Sequence, residues 1–302
     1  MAEWLYEDGI GEARAALVEG GRIIAARIEL PGLRLGTVAD ARLIDKARVR
    51  LASGEELALV GAAGVPVGAM LRIDVGREAI AEPGRAKPAR AVAVDPATPL
   101  GAGPDLRAQL AGVVRVLHPH EPDLLEQAGW SEVLDEALHG DIAFAGGALR
   151  MVPTPAMTLF DVDGAGPIEP LAQAAASAAA AAIVRHDIGG SIGIDFPSVQ
   201  GRAARQAVAA AIDAALPPPF ERTALNGFGF LQIVRPRPRM SLPELLRADP
   251  DAAEMRATLR RLERTPPGAR PDPVAPAVRV RITADMAAAL ARRTGRNLLG
   301  EF

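Results

Sequence analysis

The sequence predicts a multidomain protein of mixed class, α+β with an α/β portion, in which a small β-barrel interrupts a larger framework. Strand and helix patterns alternate as β–α–β–α–β between residues 156 and 235, the order that builds an α/β layer. Several short strands punctuated by Gly54, Gly61, Gly64 and Gly68 lie between residues 35 and 75, as in a small barrel. The chain has 302 residues, 49% apolar and 24% charged, enough for a large core or for two or three modest ones.

In chain order, residues 11–30 alternate as a hairpin around Gly20-Gly21. The barrel strands read TVADARLI, KARVRLA, ELALVG and AMLRIDV. Residues 79–104 are rich in Pro and Gly around one strand at 91–94 and read as a linker. Helical periodicity recurs at 106–117 and 121–138, broken by HPHEP. Short strands at 142–144 and 148–152 flank Gly146-Gly147 and precede an apolar strand at 156–162. An alanine-rich helix spans 169–186, a strand 188–196 and a helix 201–216, which Pro217-Pro218-Pro219 ends. One or two strands lie in 222–235. Ser241 caps a short helix to 246, and another helix covers 251–263. After a proline-rich linker at 266–276, VRVRI predicts a strand at 278–282 and Thr283 caps a helix to 293.

Composition narrows the function classes. No apolar run reaches membrane-spanning length; residues 171–184 come nearest and are too short. The opening residues lack the basic-then-apolar order of a secretory signal. With no cysteine there is no disulfide, thiolate nucleophile or Cys-based zinc site, so a cytoplasmic protein is expected. From Gly201 onward 17 arginines face 10 carboxylates, whereas residues 1–200 carry 17 basic and 27 acidic side chains. The basic portion could meet a polyanion and the acidic portion a metal, or both could be solvated faces. One Tyr, two Trp and seven Phe leave few side chains to stack on bases.

Two strands end in matched carboxylates, FDVDG at 160–164 and SIGIDFPS at 191–198. Neighbouring strands of such a unit put Asp161 and Asp195 at equal heights. Asp163 leaves on the same face as Asp161. Such carboxylates can share a hard divalent cation that polarises a phosphodiester, or they can cap helices and start turns. Asp187 precedes a glycine turn and reads as structural. His118 and His120 have ligand spacing but no partner cluster. In FLQIVRPRPRMSL, Arg235, Arg237 and Arg239 alternate with prolines. They form either a row of forks for successive phosphates or a charged, proline-blocked edge.

At these residues the chain resembles the ribonuclease E/G family of bacterial endoribonucleases. The stretches MTLFDVDG and RHDIGGSIGIDFPSV are similar to the family's two metal-binding strands, and DIAFAGGALRMVPTPA to the approach to the first. GFGFLQIVRPRPRMSL resembles a following segment, ALVEGGRIIAARIE the opening hairpin, and AVRVRITADMAAAL the small C-terminal domain. The resemblance is continuous over 140–242 and patchy elsewhere. It implies a deoxyribonuclease-I-like catalytic α/β domain, ribonuclease-H-like scaffold elements and an inserted OB-type barrel. The implied boundaries are an N-terminal hairpin (1–34), a degenerate barrel (35–78), a linker with remnant sensor and scaffold helices (79–139), a metal-binding α/β domain (140–246) and a C-terminal αβ unit (247–302).

The resemblance further implies hydrolysis of single-stranded RNA with Mg2+, or Mn2+ as a substitute. Asp161 and Asp195 would hold the ion, with Asp163 tuning it or orienting water. Arg235, Arg237, Arg239 and Arg222 would contact the RNA backbone, and Asp187 would support the second strand. The chain departs from the family by carrying Asp163 where Asn stands and Ser198 where a later Asp stands, and it lacks the cysteines of a zinc link. It therefore allows a homodimer but no zinc-mediated tetramer. Residues 35–75 hold no aromatic side chain, and the pair that grips an RNA 5′-phosphate has no match. An RNA-binding protein without turnover is the alternative, and an interaction protein of an RNA-processing assembly a third reading.

Overall fold

Two open sheets and a closed barrel organise the chain in a computed structural model, which describes residues 1–61, 64–82, 86–266, 269 and 273–296. The result is an α+β multidomain fold. The first sheet begins with β1 (Glu3–Asp8), β2 (Ala13–Glu19) and β3 (Arg22–Glu29), paired antiparallel. Strand β1 has no sequence alternation because both its faces are covered. Leu5 packs towards helices, while Trp4 and Tyr6 face Leu106.

The barrel comprises β4 (Val38–Asp45), β5 (Arg48–Leu51), β6 (Glu56–Val60), β7 (Met70–Arg77) and β8 (Arg90–Ala93), closed in the order β4-β5-β6-β8-β7. Its core is aliphatic, built on Leu43, Val49, Leu57 and Ile73. Strand β8 lies in the stretch expected to be linker, yet it closes the barrel, parallel to β6 and antiparallel to β7. The strand read at 91–94 is thus present one residue earlier, as a barrel strand and not as part of a linker.

The helix expected at 106–117 is absent. A single 3-10 turn at Arg107–Gln109 leads to Gly112, whose φ of +92° interrupts any helix, and then to β9 (Val114–Val116). Strand β9 runs parallel to β1, with Trp4 opposite Val114 and Tyr6 opposite Val116. Helices α1 (Leu124–Gln127) and α2 (Trp130–His139) follow, the first capped by Asp123.

The second sheet contains β10 (Asp141–Phe144), β11 (Gly147–Pro153) and β12 (Thr158–Gly164). Helix α3 (Ile168–Arg185), β13 (Gly190–Asp195), α4 (Arg202–Ala215), β14 (Glu221–Arg222) and β15 (Phe230–Arg235) complete it, in the strand order β10-β11-β12-β13-β15-β14. Helix α3 packs against α4 and β11 and also reaches β3 of the first sheet. Ala172, Ala175, Ala176, Ala179 and Ala180 are fully buried at these contacts. Small side chains let the helix approach neighbours on several sides, so it has almost no polar face.

Helix α5 (Leu242–Ala248) starts with a capping box between Ser241 and Glu244, and α6 (Pro250–Arg264) is capped by Asp249. The strand expected at 278–282 is instead the turn of helix α7 (Pro276–Arg279), with Pro276 in its first turn; α8 (Ala284–Thr294) follows, capped by Thr283. Val278 and Leu290 join Met255, Leu259 and Leu262 of α6 and Ile10 in one core. Val280 is 83% exposed, so the VRVRI alternation has no sheet to face. Part of the 266–276 linker lies outside the described residues. No helix among the described residues is long and apolar enough to cross a membrane.

His186, just beyond α3, is fully buried with Nε2 3.2 Å from Glu136 Oε2. Burial, followed by Arg185 and Arg247, holds its pKa below the ordinary 6.5, against the pull of Glu136. The unfolded chain then binds a proton that the native state refuses. Stability from this group is intact above pH 6.5 and falls as pH drops below it. His186→Phe should flatten that part of a urea-midpoint-against-pH curve; an unchanged curve would exclude His186 as its source.

Candidate functional site

Strands β12 and β13 are parallel and in register, with Asp161 directly opposite Asp195. Phe160, Val162, Ile192 and Ile194 point into the core with α3 and α4. Alternation therefore sends Asp161, Asp163 and Asp195 to the opposite face, where all three are exposed. Gly193 lies beneath the side chains of Met157, Leu159 and Phe230, and an added Cβ would come within 3.0 Å of each. Arg150 stands opposite Asp161 on β11 and donates to Asp141 at 2.7 Å.

The paired height of Asp161 and Asp195 is the geometry expected from their strand endings. The metal is not. Among the described residues no group of three or more His, Cys, Asp or Glu side chains could hold a metal ion, which overturns the expected Mg2+ or Mn2+ cofactor. Asp163 is two residues further along its strand, roughly 6.6 Å away in an extended chain. Asp187, at the far end of β13, accepts from Arg239 at 3.0 Å and lies 3.7 Å from Arg27. It occupies a left-handed turn (φ +52°) between α3 and β13. His118 and His120 stack on one another, ring centroids 5.6 Å apart.

The arginines do not form an open row. Arg222 is held in a two-pronged pair by Asp213 of α4, with one bond of 2.7 Å. Arg237 donates to Glu82 at 3.2 Å and to Glu244. Arg239 is taken by Asp187 and Gln109. Arg235 donates to the Ile188 carbonyl at 3.3 Å, and its Nε is buried without a partner. The RPRPR segment thus straps the barrel and the sheets together, and Glu78 N donates to Pro238 O at 2.8 Å beside it. Close approach to β13 requires glycine, since a Cβ on Gly189 would lie 2.4 Å from Pro236 O.

Register also separates the two constellations. Asp195 faces Phe230, whereas Arg235 faces Gly190, five residues and roughly 17 Å further along the strands. One phosphate cannot touch both.

Where the strap meets the barrel, a third group comes together that the sequence does not disclose. Arg77 of β7 lies directly opposite Arg90 of β8, brought there by a register shift after Val75. Burial lowers the pKa of Arg77, and the nearby charges of Arg90 and Arg237 lower it further, with Glu82 opposing. Lys87 is 2.6 Å from Glu82. The Nε atoms of Arg77 and Arg237 are buried without partners. Lys87, Arg237, Ser191 and Met157 line a small cleft between the barrel arm and the sheet. Counting Arg77, Arg90, Lys87 and Arg237 against Glu82 and Glu244, the seam carries two uncompensated positive charges.

No protein-family model matches the sequence, and no curated protein matches it.

Proposed function

We propose that this chain binds single-stranded RNA along the seam between the barrel and the second sheet, and holds it rather than cuts it. The observation that carries this reading is the Arg77–Arg90 pair. Like charges directly opposite one another across strands are destabilising, and here Arg237 adds a third. A phosphodiester backbone laid along the seam would neutralise them. The barrel order β4-β5-β6-β8-β7, with β6 and β8 parallel, supports the reading, because OB-type barrels commonly bind oligonucleotides. The finer fold assignment, a deoxyribonuclease-I-like domain with ribonuclease-H-like scaffold elements, belongs to the same proposal. It rests on the resemblance of 140–242 to the ribonuclease E/G family.

The test is fluorescence anisotropy with labelled single-stranded RNAs of several base compositions, followed by gel analysis of the recovered RNA. Wild type should bind all compositions similarly and return them full length. Arg77→Gln/Arg90→Gln should bind all of them more weakly by the same factor. Equal affinity of the variant would remove the seam from the RNA path. Cleavage by wild type that disappears in Asp195→Asn would overturn the holding role.

A further inference from the structure

The barrel is tied to the rest of the molecule where β4 begins and β7 ends. Leu35 N donates to Glu78 Oε1 at 3.1 Å, and Glu78 N to Pro238 O at 2.8 Å. The connection from β6 to β7 lies at the opposite end, beside the turn from β4 to β5. There Leu59 N donates to Ala47 O at 2.7 Å, and Gly68 N to Leu43 O at 2.8 Å. The sequence holds no charged residue from Leu57 to Leu71. Val65 turns inward onto the barrel core. Val60, Val67 and Met70 do not; each is more than half exposed. Val92, opposite Val60 on β8, is exposed as well. A Cβ on Gly61, Gly64 or Gly68 would meet no atom within 4 Å, so the connection stands clear of the other described residues.

Strand β4 and its turn add two cations at this end. Arg42 lies opposite Met70 and donates to Gly68 O at 3.1 Å. The carboxylates of the same strand are already taken, Asp40 by Arg72 and Asp45 by Arg48. Lys46, in the turn, is exposed. Neither Arg42 nor Lys46 has a carboxylate partner among the described residues.

We propose that this end of the barrel docks on the surface of an anionic phospholipid bilayer. Val60, Val67 and Met70 enter the boundary between headgroups and acyl chains, while Arg42 and Lys46 meet lipid phosphates. Insertion stops at that depth, because the backbone of an irregular connection cannot be left unpaired in hydrocarbon. A bilayer receives a projecting end without a matching cavity, which favours it over a protein partner. The surface is independent of the RNA seam, since Arg77 and Arg90 lie where β7 ends and β8 begins.

Sedimentation with sucrose-loaded vesicles tests the proposal, using phosphatidylcholine alone and an equal mixture with phosphatidylglycerol. Wild type should bind the mixture roughly thirtyfold more tightly than phosphatidylcholine alone, as two basic side chains near the surface provide. Val67→Asp/Met70→Asp should lose this binding with little change in Tm. Val113→Asp, at a site at least as exposed but outside the barrel, should keep it. In Val67→Trp, emission should shift to the blue on the mixture, above a background from the buried Trp4 and Trp130. If the double Asp variant fails to fold, Arg42→Gln/Lys46→Gln carries the test and should reduce binding to the level of phosphatidylcholine alone. No binding of wild type to the mixture, equal binding by either double variant, or an unshifted Val67→Trp emission would overturn the proposal. Self-association without vesicles that Val67→Asp/Met70→Asp abolishes would assign this end to a second copy of the chain instead.

Discussion

Glu7→Gln should lower the free energy of unfolding by about 3–5 kcal/mol, the usual cost of removing one partner from a buried ion pair. Glu7 is 4% exposed and serves three guanidinium groups. A neutral amide turns its NH2 towards donors and leaves three cations with less compensation in a medium that solvates them poorly. The contact between Glu7 and Arg260 joins residues 253 apart in sequence, so its loss loosens the attachment of α6 to the first sheet. Glu254→Gln, in an exposed pair with Arg261, is the control and should change stability by less than about 1 kcal/mol. Urea titrations of both variants decide the matter; equal effects would mean that the buried cluster contributes no more than a surface pair.

The same residue sets an acid response. Burial alone would raise the Glu7 pKa, but Arg14, Arg260 and Arg264 outweigh it and hold the carboxyl below its ordinary 4.5. Its contribution is present above pH 4.5 and is lost as pH falls through the depressed folded value. In Glu7→Gln that portion of the acid unfolding curve should be missing.

The sequence discloses elements whose burial is one-sided or whose ends carry caps. Helix α5 is legible from Ser241 and Glu244, and α8 from Thr283, because capping chemistry is local. Strand β1 is not, since burial of both faces erases alternation; β8 is legible as a short strand, but not as a barrel strand, because its partners β6 and β7 are distant in sequence. The spacing of Leu106, Leu110, Val114 and Leu117 fits a helix, but pairing of β9 with β1 overrides it. Likewise, Asp161 and Asp195 are legible as a pair because two strands joined by a helix run parallel and side by side. The arginines illustrate the limit. Their alternation with proline is visible, but the carboxylates that occupy Arg237 come from residues 82 and 244. No local pattern reports partners brought together by the fold.

The seam's charge balance fixes how RNA affinity should respond to salt. Each phosphate neutralised on a single strand contributes roughly −0.7 to the slope of log affinity against log salt. Lys87 and Arg237 share Glu82, and Arg237 also holds Glu244, leaving two net charges for RNA. Wild type should therefore show a slope of roughly −1.4, so that a fourfold rise in salt weakens binding about sevenfold. If RNA instead displaced both carboxylates, all four cations would count and the slope would approach roughly −2.8, a loss of about fiftyfold. Displacement is disfavoured because Glu82 already accepts from two cations, which hold its pKa down against burial, and releasing it would leave a carboxylate beside the RNA. Aromatic stacking cannot flatten the response, because the barrel strands carry no Phe, Tyr or Trp. In Arg77→Gln/Arg90→Gln the slope should fall close to zero, since the remaining cations are internally paired. Anisotropy titrations at several salt concentrations measure both slopes. Parallel lines for wild type and variant would place RNA elsewhere on the molecule, and a wild-type slope near −2.8 would mean that the strap's ion pairs open when RNA binds.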